Sequence, residues 1–102
     1  MSSEKRTSVP NSLNEHWMPF TSNKDFKERP RLITEAKGVY LKNHEGNTQI
    51  DASSGLFCNP LGHGRMEIID AITNQLKTLD YAQPFQQGFG GSFELATRIS
   101  KH

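Results

Sequence analysis

Cys58 is the chain's one cysteine, so no internal disulfide can form and a reducing compartment is the simpler expectation. Apolar residues are scarce: they make up 33% of the 102 positions, and no run of them approaches the length of a bilayer span. An excess of one charge is lacking too. Twelve bases face eleven acids, for a formal net charge of +1. That balance excludes the basic footprint of a nucleic-acid binder and the charge excess that keeps a chain disordered. Bases crowd only at Lys24, Lys27, Arg29 and Arg31, with Asp25 and Glu28 between them, and this run reads as a solvated face. His16, His44, His63 and His102 are scattered and, with Cys58, show no metal-ligand spacing. Gly88-Phe89-Gly90-Gly91 lacks the lysine and hydroxyl of a phosphate loop. No metal site, no covalent cofactor site and no self-sufficient catalytic group is therefore expected. The length suits one domain. Residues 1–12 are polar, have no apolar signal core, and read as a flexible arm. The default location is cytoplasmic, with neither nucleic acid nor membrane as partner.

What is present centres on residues 51–64, Asp-Ala-Ser-Ser-Gly-Leu-Phe-Cys-Asn-Pro-Leu-Gly-His-Gly. Gly55, Gly62 and Gly64 open backbone angles closed to other residues, and Pro60 restricts its neighbour Asn59. A stiff, winding segment follows, with Leu56, Phe57 and His63 at definite places. Cys58 is expected to be a small buried hydrophobe rather than a nucleophile, and His63 a hydrogen-bonded structural histidine ahead of the alternative, a catalytic base.

Before this segment, 31–36, 39–42 and 48–52 alternate as strands, with turns at 37–38 and 43–47, which predicts an antiparallel three-strand meander. After it, Met66, Ile69, Ile72, Leu76 and Leu79 fall on one stripe of a helix over 65–79, expected to be packed by that face. Gly88, Gly90 and Gly91 read as a flexible bend, and Ser92 as the N-cap of a last helix. The fold class is an α+β fragment. Near the front, Leu13, Trp17, Met18 and Phe20 concentrate apolar area within a few residues, with Asn14 able to cap a short helical turn and Pro19 to stop it. Trp17, Phe20, Phe57, Tyr81, Phe85 and Phe89 lie in three irregular segments that could converge on an apolar pocket of the small-molecule type.

Leu13-Asn14-Glu15-His16-Trp17-Met18-Pro19-Phe20-Thr21 resembles the opening of the omega-amino acid:pyruvate (beta-alanine:pyruvate) aminotransferases. These are class III, pyridoxal-phosphate (PLP)-dependent enzymes of fold type I. Gly38-Val39-Tyr40-Leu41, Asp51-Ala52-Ser53-Ser54-Gly55-Leu56, Gly62-His63-Gly64-Arg65 and Asp80-Tyr81-Ala82 resemble the same family in the same order. The resemblance implies that residues 13–102 are an incomplete N-terminal segment, without the large cofactor-binding domain and its Schiff-base lysine. The parent enzyme would move an amino group from an omega-amino acid or amine to pyruvate through PLP aldimines, as a homodimer or larger assembly. Leu56 and Phe57 match positions lining the substrate pocket, with Phe20, Phe85 and Phe89 as further candidates. The family usually has tryptophan where this chain has Phe57. The chain by itself would be inactive. The alternatives are a non-catalytic remnant and a small α+β interaction module.

Overall fold

The computed structural model describes residues 9–102, and most of the expected flexible arm (residues 1–8) lies outside the described residues. The order of elements is α1 (Asn23–Glu28), β1 (Ile33–Lys37), β2 (Tyr40–Asn43), β3 (Thr48–Ile50), α2 (Met66–Thr78) and α3 (Gly90–Ile99). This is a small α+β architecture, with an antiparallel three-strand sheet and three helices among the described residues. The chain divides after Arg65 into two units, taken here separately.

In the first unit the sheet is an antiparallel meander in the order β1-β2-β3, as the alternation predicts. Lys37 pairs with Tyr40, so β1 and β2 are joined by Gly38-Val39 alone. Gly38 takes φ +58°, the left-handed geometry that a two-residue hairpin needs. The register slips between Ile33 and Glu35, and there the Thr34 hydroxyl donates to the Lys42 carbonyl at 3.2 Å. In the next turn the Asn43 carboxamide oxygen accepts the backbone N–H of Glu45 and of Asn47. This is the side-chain mimicry of a turn that asparagine favours.

α1 was not expected. The run of charges containing it is solvated on one side only, and Phe26 on the other is 8% exposed, the one buried hydrophobic residue among those described. Ser22 precedes the helix and its hydroxyl donates to the Asp25 carboxylate at 2.9 Å. Pro30 follows directly after Arg29 and stops the helix, since the residue before a proline avoids the helical region. Six residues are too few for helical periodicity to stand out. Residues 14–15 form a turn rather than the helical turn expected after Asn14.

In the second unit α2 covers nearly the span expected, but its apolar stripe is not packed: none of its residues is buried, and Met66, Ile69, Ile72 and Leu76 are all exposed. α3 starts at Gly90 rather than after Ser92. Ser92 lies inside the first turn, and its hydroxyl donates back to the Phe89 carbonyl at 2.7 Å instead of capping an amide. Gly90 and Gly91 are therefore helical residues and not a flexible bend. A Cβ at Gly91 would overlap the present position of the Phe89 ring, which would have to turn aside.

Candidate functional site

Residues 51–64 form the most constrained segment of the first unit. Ser54, Gly55, Leu56 and Phe57 take φ of 52°, 60°, 55° and 67°, four successive residues in the left-handed region. For an L-residue that region costs roughly 1–2 kcal/mol, so three non-glycine residues there need external support. Part of it comes from the turn's own backbone, where Phe57 N–H donates to Ser53 C=O at 3.0 Å and Asn59 N–H to Ser54 C=O at 2.8 Å.

The rest comes from Asp51, at the end of β3. One carboxylate oxygen accepts the Gly55 amide at 3.0 Å and the Ser53 hydroxyl at 3.4 Å. The other faces His63 Nε2 at 3.0 Å. On the far side of the imidazole, Asn59 Nδ2 lies 2.8 Å from Nδ1. With Asn59 donating to Nδ1, the ring carries its proton on Nε2 and donates it to Asp51. The Asp51 side chain is only 7% exposed. The Gly55 amide, and after it His63 and the Ser53 groups, hold the Asp51 carboxyl below its ordinary pKa.

His63 is itself fixed through its backbone. Gly38 N–H donates to His63 C=O at 2.9 Å and His63 N–H to Gly38 C=O at 2.8 Å, so the segment is pinned beside the first hairpin. Gly62 allows this approach, since a Cβ there would stand 3.3 Å from the Gly38 carbonyl oxygen. His63 is hydrogen-bonded through both ring nitrogens and through its backbone.

The brace sets where the sequence-predicted residues stand. Leu56 and Phe57, adjacent on the left-handed turn, are 74% and 85% exposed. Phe20 also has positive φ, 49°, and is fully exposed on a turn ahead of α1. Phe85 and Phe89 belong to the second unit. There Phe89 lines, with Gln75, Leu79, Asp80, Tyr81 and Ala82, a shallow hollow of about 220 Å³, while Phe85 is exposed. Cys58 is exposed, with Sγ 3.5 Å from the Leu56 carbonyl oxygen, and does not serve as a core residue. The left-handed turn projects it outward along with its neighbours. No sequence signal marks Asn23, whose side chain holds the backbone of Met18 and Thr21, or the Asn59 side chain, which bonds the His63 ring, because such bonds have no periodicity.

No family model matches the chain. Comparison with individual proteins is informative. The chain is 46% identical over 88 residues to the omega-amino acid–pyruvate aminotransferase of Pseudomonas putida, covering 86% of this chain and 20% of that enzyme. It is 44% identical over 89 residues to the beta-alanine–pyruvate aminotransferase of Pseudomonas aeruginosa, covering 87% of this chain and 20% of that enzyme. The omega transaminase of Pseudomonas jessenii, solved in complex with PMP, superposes with a TM-score of 0.80 at 27% identity, over 90% of this chain and 21% of that one. The chain is homologous to the omega-amino acid transaminases of the class III PLP-dependent aminotransferase family. It spans about one fifth of the length of the relatives it matches.

The described residues do not fit PLP on their own. The cofactor needs a lysine amine in a shielded pocket beside a carboxylate for its ring nitrogen. The described lysines lie on α1, at the end of β1, within β2, in the last turn of α2 and beyond α3, and none is buried. What the chain offers is a braced, outward-facing aromatic turn.

Proposed function

We propose that residues 13–102 are the N-terminal segment of a transaminase that moves an amino group from an omega-amino acid or amine to pyruvate. In this reading PLP is bound by the part of the enzyme corresponding to the other four fifths of the relatives. Supporting it most directly is the 46% identity over 88 residues to an omega-amino acid–pyruvate aminotransferase. The segment's share is the substrate wall and a dimer contact. Leu56 and Phe57 stand on the left-handed turn as wall residues, joined by Phe20, Phe85 and Phe89. None of these side chains carries a proton in the reaction. They exclude water and select the donor by shape. The complete enzyme is taken to act in the cytoplasm as a homodimer or larger assembly.

A graft tests this. The 88 matched residues of the Pseudomonas putida enzyme are replaced by those of this chain, and alanine formation from β-alanine and pyruvate is followed. The expected result is a PLP-loaded graft that forms alanine. A graft that folds and holds PLP yet forms none would reject the reading.

A further inference from the structure

Asn23 is the one polar residue buried among those described, at 6% exposure. Its side chain is fully engaged. Oδ1 accepts the Met18 backbone N–H at 2.7 Å, while Nδ2 donates to the Met18 carbonyl at 2.9 Å and to the Thr21 carbonyl at 3.1 Å. The orientation of the amide follows from its partners, because a flip would set the oxygen against two carbonyls and the nitrogen against an N–H. Asn23 thus pairs with Met18 as a neighbouring peptide unit would, and closes the turn Met18-Pro19-Phe20-Thr21 from both ends. The Thr21 hydroxyl closes it again inside, donating to the Pro19 carbonyl at 2.7 Å.

At the middle of that turn is Phe20, at φ 49°. A bulky residue in the left-handed region persists only where its surroundings over-determine it. Asn23 can supply that constraint because it is itself anchored. It opens α1, and Phe26, three residues on and on the same face, is the buried hydrophobic residue of the unit. A second hold comes from the same helix, where the Lys27 amine lies 5.7 Å from the centre of the Trp17 ring. The stretch carrying Trp17 and Phe20 is therefore clipped to α1, although both rings are exposed.

We propose that Asn23 is a positioning residue. Its carboxamide fixes the turn that directs Phe20 and, on the reading of Phe20 as part of the substrate wall, it tunes donor selectivity without touching substrate. Loss of the amide leaves the Met18 and Thr21 carbonyls and the Met18 amide unpaired, and Phe20 relaxes out of the left-handed region. Asn23→Asp keeps an acceptor for the Met18 amide but turns the second oxygen against two carbonyls, so it should fail as Asn23→Ala does. Asn23→Gln should not rescue, because one more methylene displaces the amide from both partners.

The test uses the isotope-labelled 102-residue chain in solution. The Asn23 side-chain protons should exchange at least tenfold more slowly than those of exposed Asn14, with a scalar coupling across the hydrogen bond to the Met18 carbonyl carbon. Asn23→Ala should speed exchange of the Met18 amide about tenfold, the order expected for one lost hydrogen bond, and should shift the Phe20 resonances. Ser22→Ala, which weakens the start of the same helix without touching the turn, should leave Met18 and Phe20 in place. Fast exchange at Asn23 in the unaltered chain, or unmoved Phe20 resonances in Asn23→Ala, would overturn the proposal. So would equal disturbance of Phe20 by Ser22→Ala, which reports only general loosening of α1. The functional reading is judged apart, in the grafted enzyme. There Phe20→Ala should change the ratio of kcat/KM for a small and a bulky donor, and Asn23→Ala should change it in the same direction. An unchanged ratio in Phe20→Ala would remove Phe20 from the wall and leave the hold of Asn23 on the turn to the spectra.

Discussion

Asp51 and His63, twelve residues apart, meet at 3.0 Å and close the segment that carries Leu56 and Phe57. Asp51 ends the meander and His63 is bonded through its backbone to the first hairpin, so the loop between them hangs from the sheet at two points. Inside that closure the backbone takes four successive positive φ values. The brace and the strain belong together: the left-handed turn gives Leu56 and Phe57 their outward direction, and the carboxylate makes that turn affordable.

The first prediction follows from the sign of the Asp51 shift. Its folded-state pKa lies below the ordinary carboxylate value, owing first to the Gly55 amide and then to His63. Its contribution is therefore full above the unfolded-state pKa and is lost as pH falls through the folded-state value. Protection of the Gly55 amide, its exchange rate taken relative to the intrinsic rate at each pH, should fall once the pH passes below the usual carboxylate range. Asp51→Asn should show a loosened turn at every pH and no acid-dependent step there. Gly55 protection that stays constant through the acid range in the unaltered chain would disprove the link.

A second prediction concerns shape at Phe57. In the grafted enzyme Phe57→Trp should alter selectivity between a small and a bulky amino donor and spare the transfer chemistry. The expected change in the ratio of kcat/KM is roughly 10–200-fold, the range for a methylene-sized difference in an apolar pocket. The direction is toward the smaller donor, since the indole takes up more of the space. Equal ratios in both proteins would show that the ring does not line the pocket.

How much of this was legible beforehand differs by element. The meander and α2 could be read because period-two and period-3.6 patterns are carried by many side chains at once. α1 could not, since a six-residue helix shows less than two turns of pattern and its charges disguise Phe26. The start of α3 was misplaced because Ser92 is a good capping residue in isolation. The helix instead begins at Gly90, two residues before Ser92, with the Ser92 hydroxyl turned back to the Phe89 carbonyl. The packing of α2 was overestimated because an apolar stripe records what a helix can bury and not what lies against it. The clamp of Asn23 and the link of Asp51 to Gly55 are side-chain-to-backbone bonds, which have no periodicity at all.

The third prediction tests the small core. Phe26 is the buried hydrophobic residue of the first unit, so Phe26→Ala removes apolar contact that no neighbour replaces. Truncations of this kind cost about 3–5 kcal/mol in a full core. In this lean unit the lower end, about 3 kcal/mol, is expected, a large share of any small domain's stability. Urea unfolding monitored at Trp17 should show the loss directly. A change below about 1 kcal/mol, the size of an ordinary surface effect, would mean that the sheet and not α1 holds the unit.

The last prediction is that the 102-residue chain, given PLP and an amino donor, forms no single stoichiometric adduct and no alanine. A lysine reacts selectively with an aldehyde when burial or a neighbouring cation lowers its pKa and so frees the amine. Among the described lysines, Lys24 and Lys27 lie in α1, and the Lys27 amine is held over Trp17 and 3.4 Å from the Asn14 carbonyl oxygen. Lys37 ends β1 at the exposed side of the hairpin, and Lys42 lies half-buried in β2. Lys77 sits in the exposed last turn of α2, and Lys101 is exposed beyond α3. None is shielded enough for a preference, so modification should be slow and spread over several sites. Borohydride trapping after incubation with PLP, followed by peptide mapping, should recover several partial adducts, and a parallel assay with pyruvate should yield no alanine. One full adduct on one lysine, or alanine above the protein-free control, would mean that this segment builds a complete cofactor site by itself, against the fit described above.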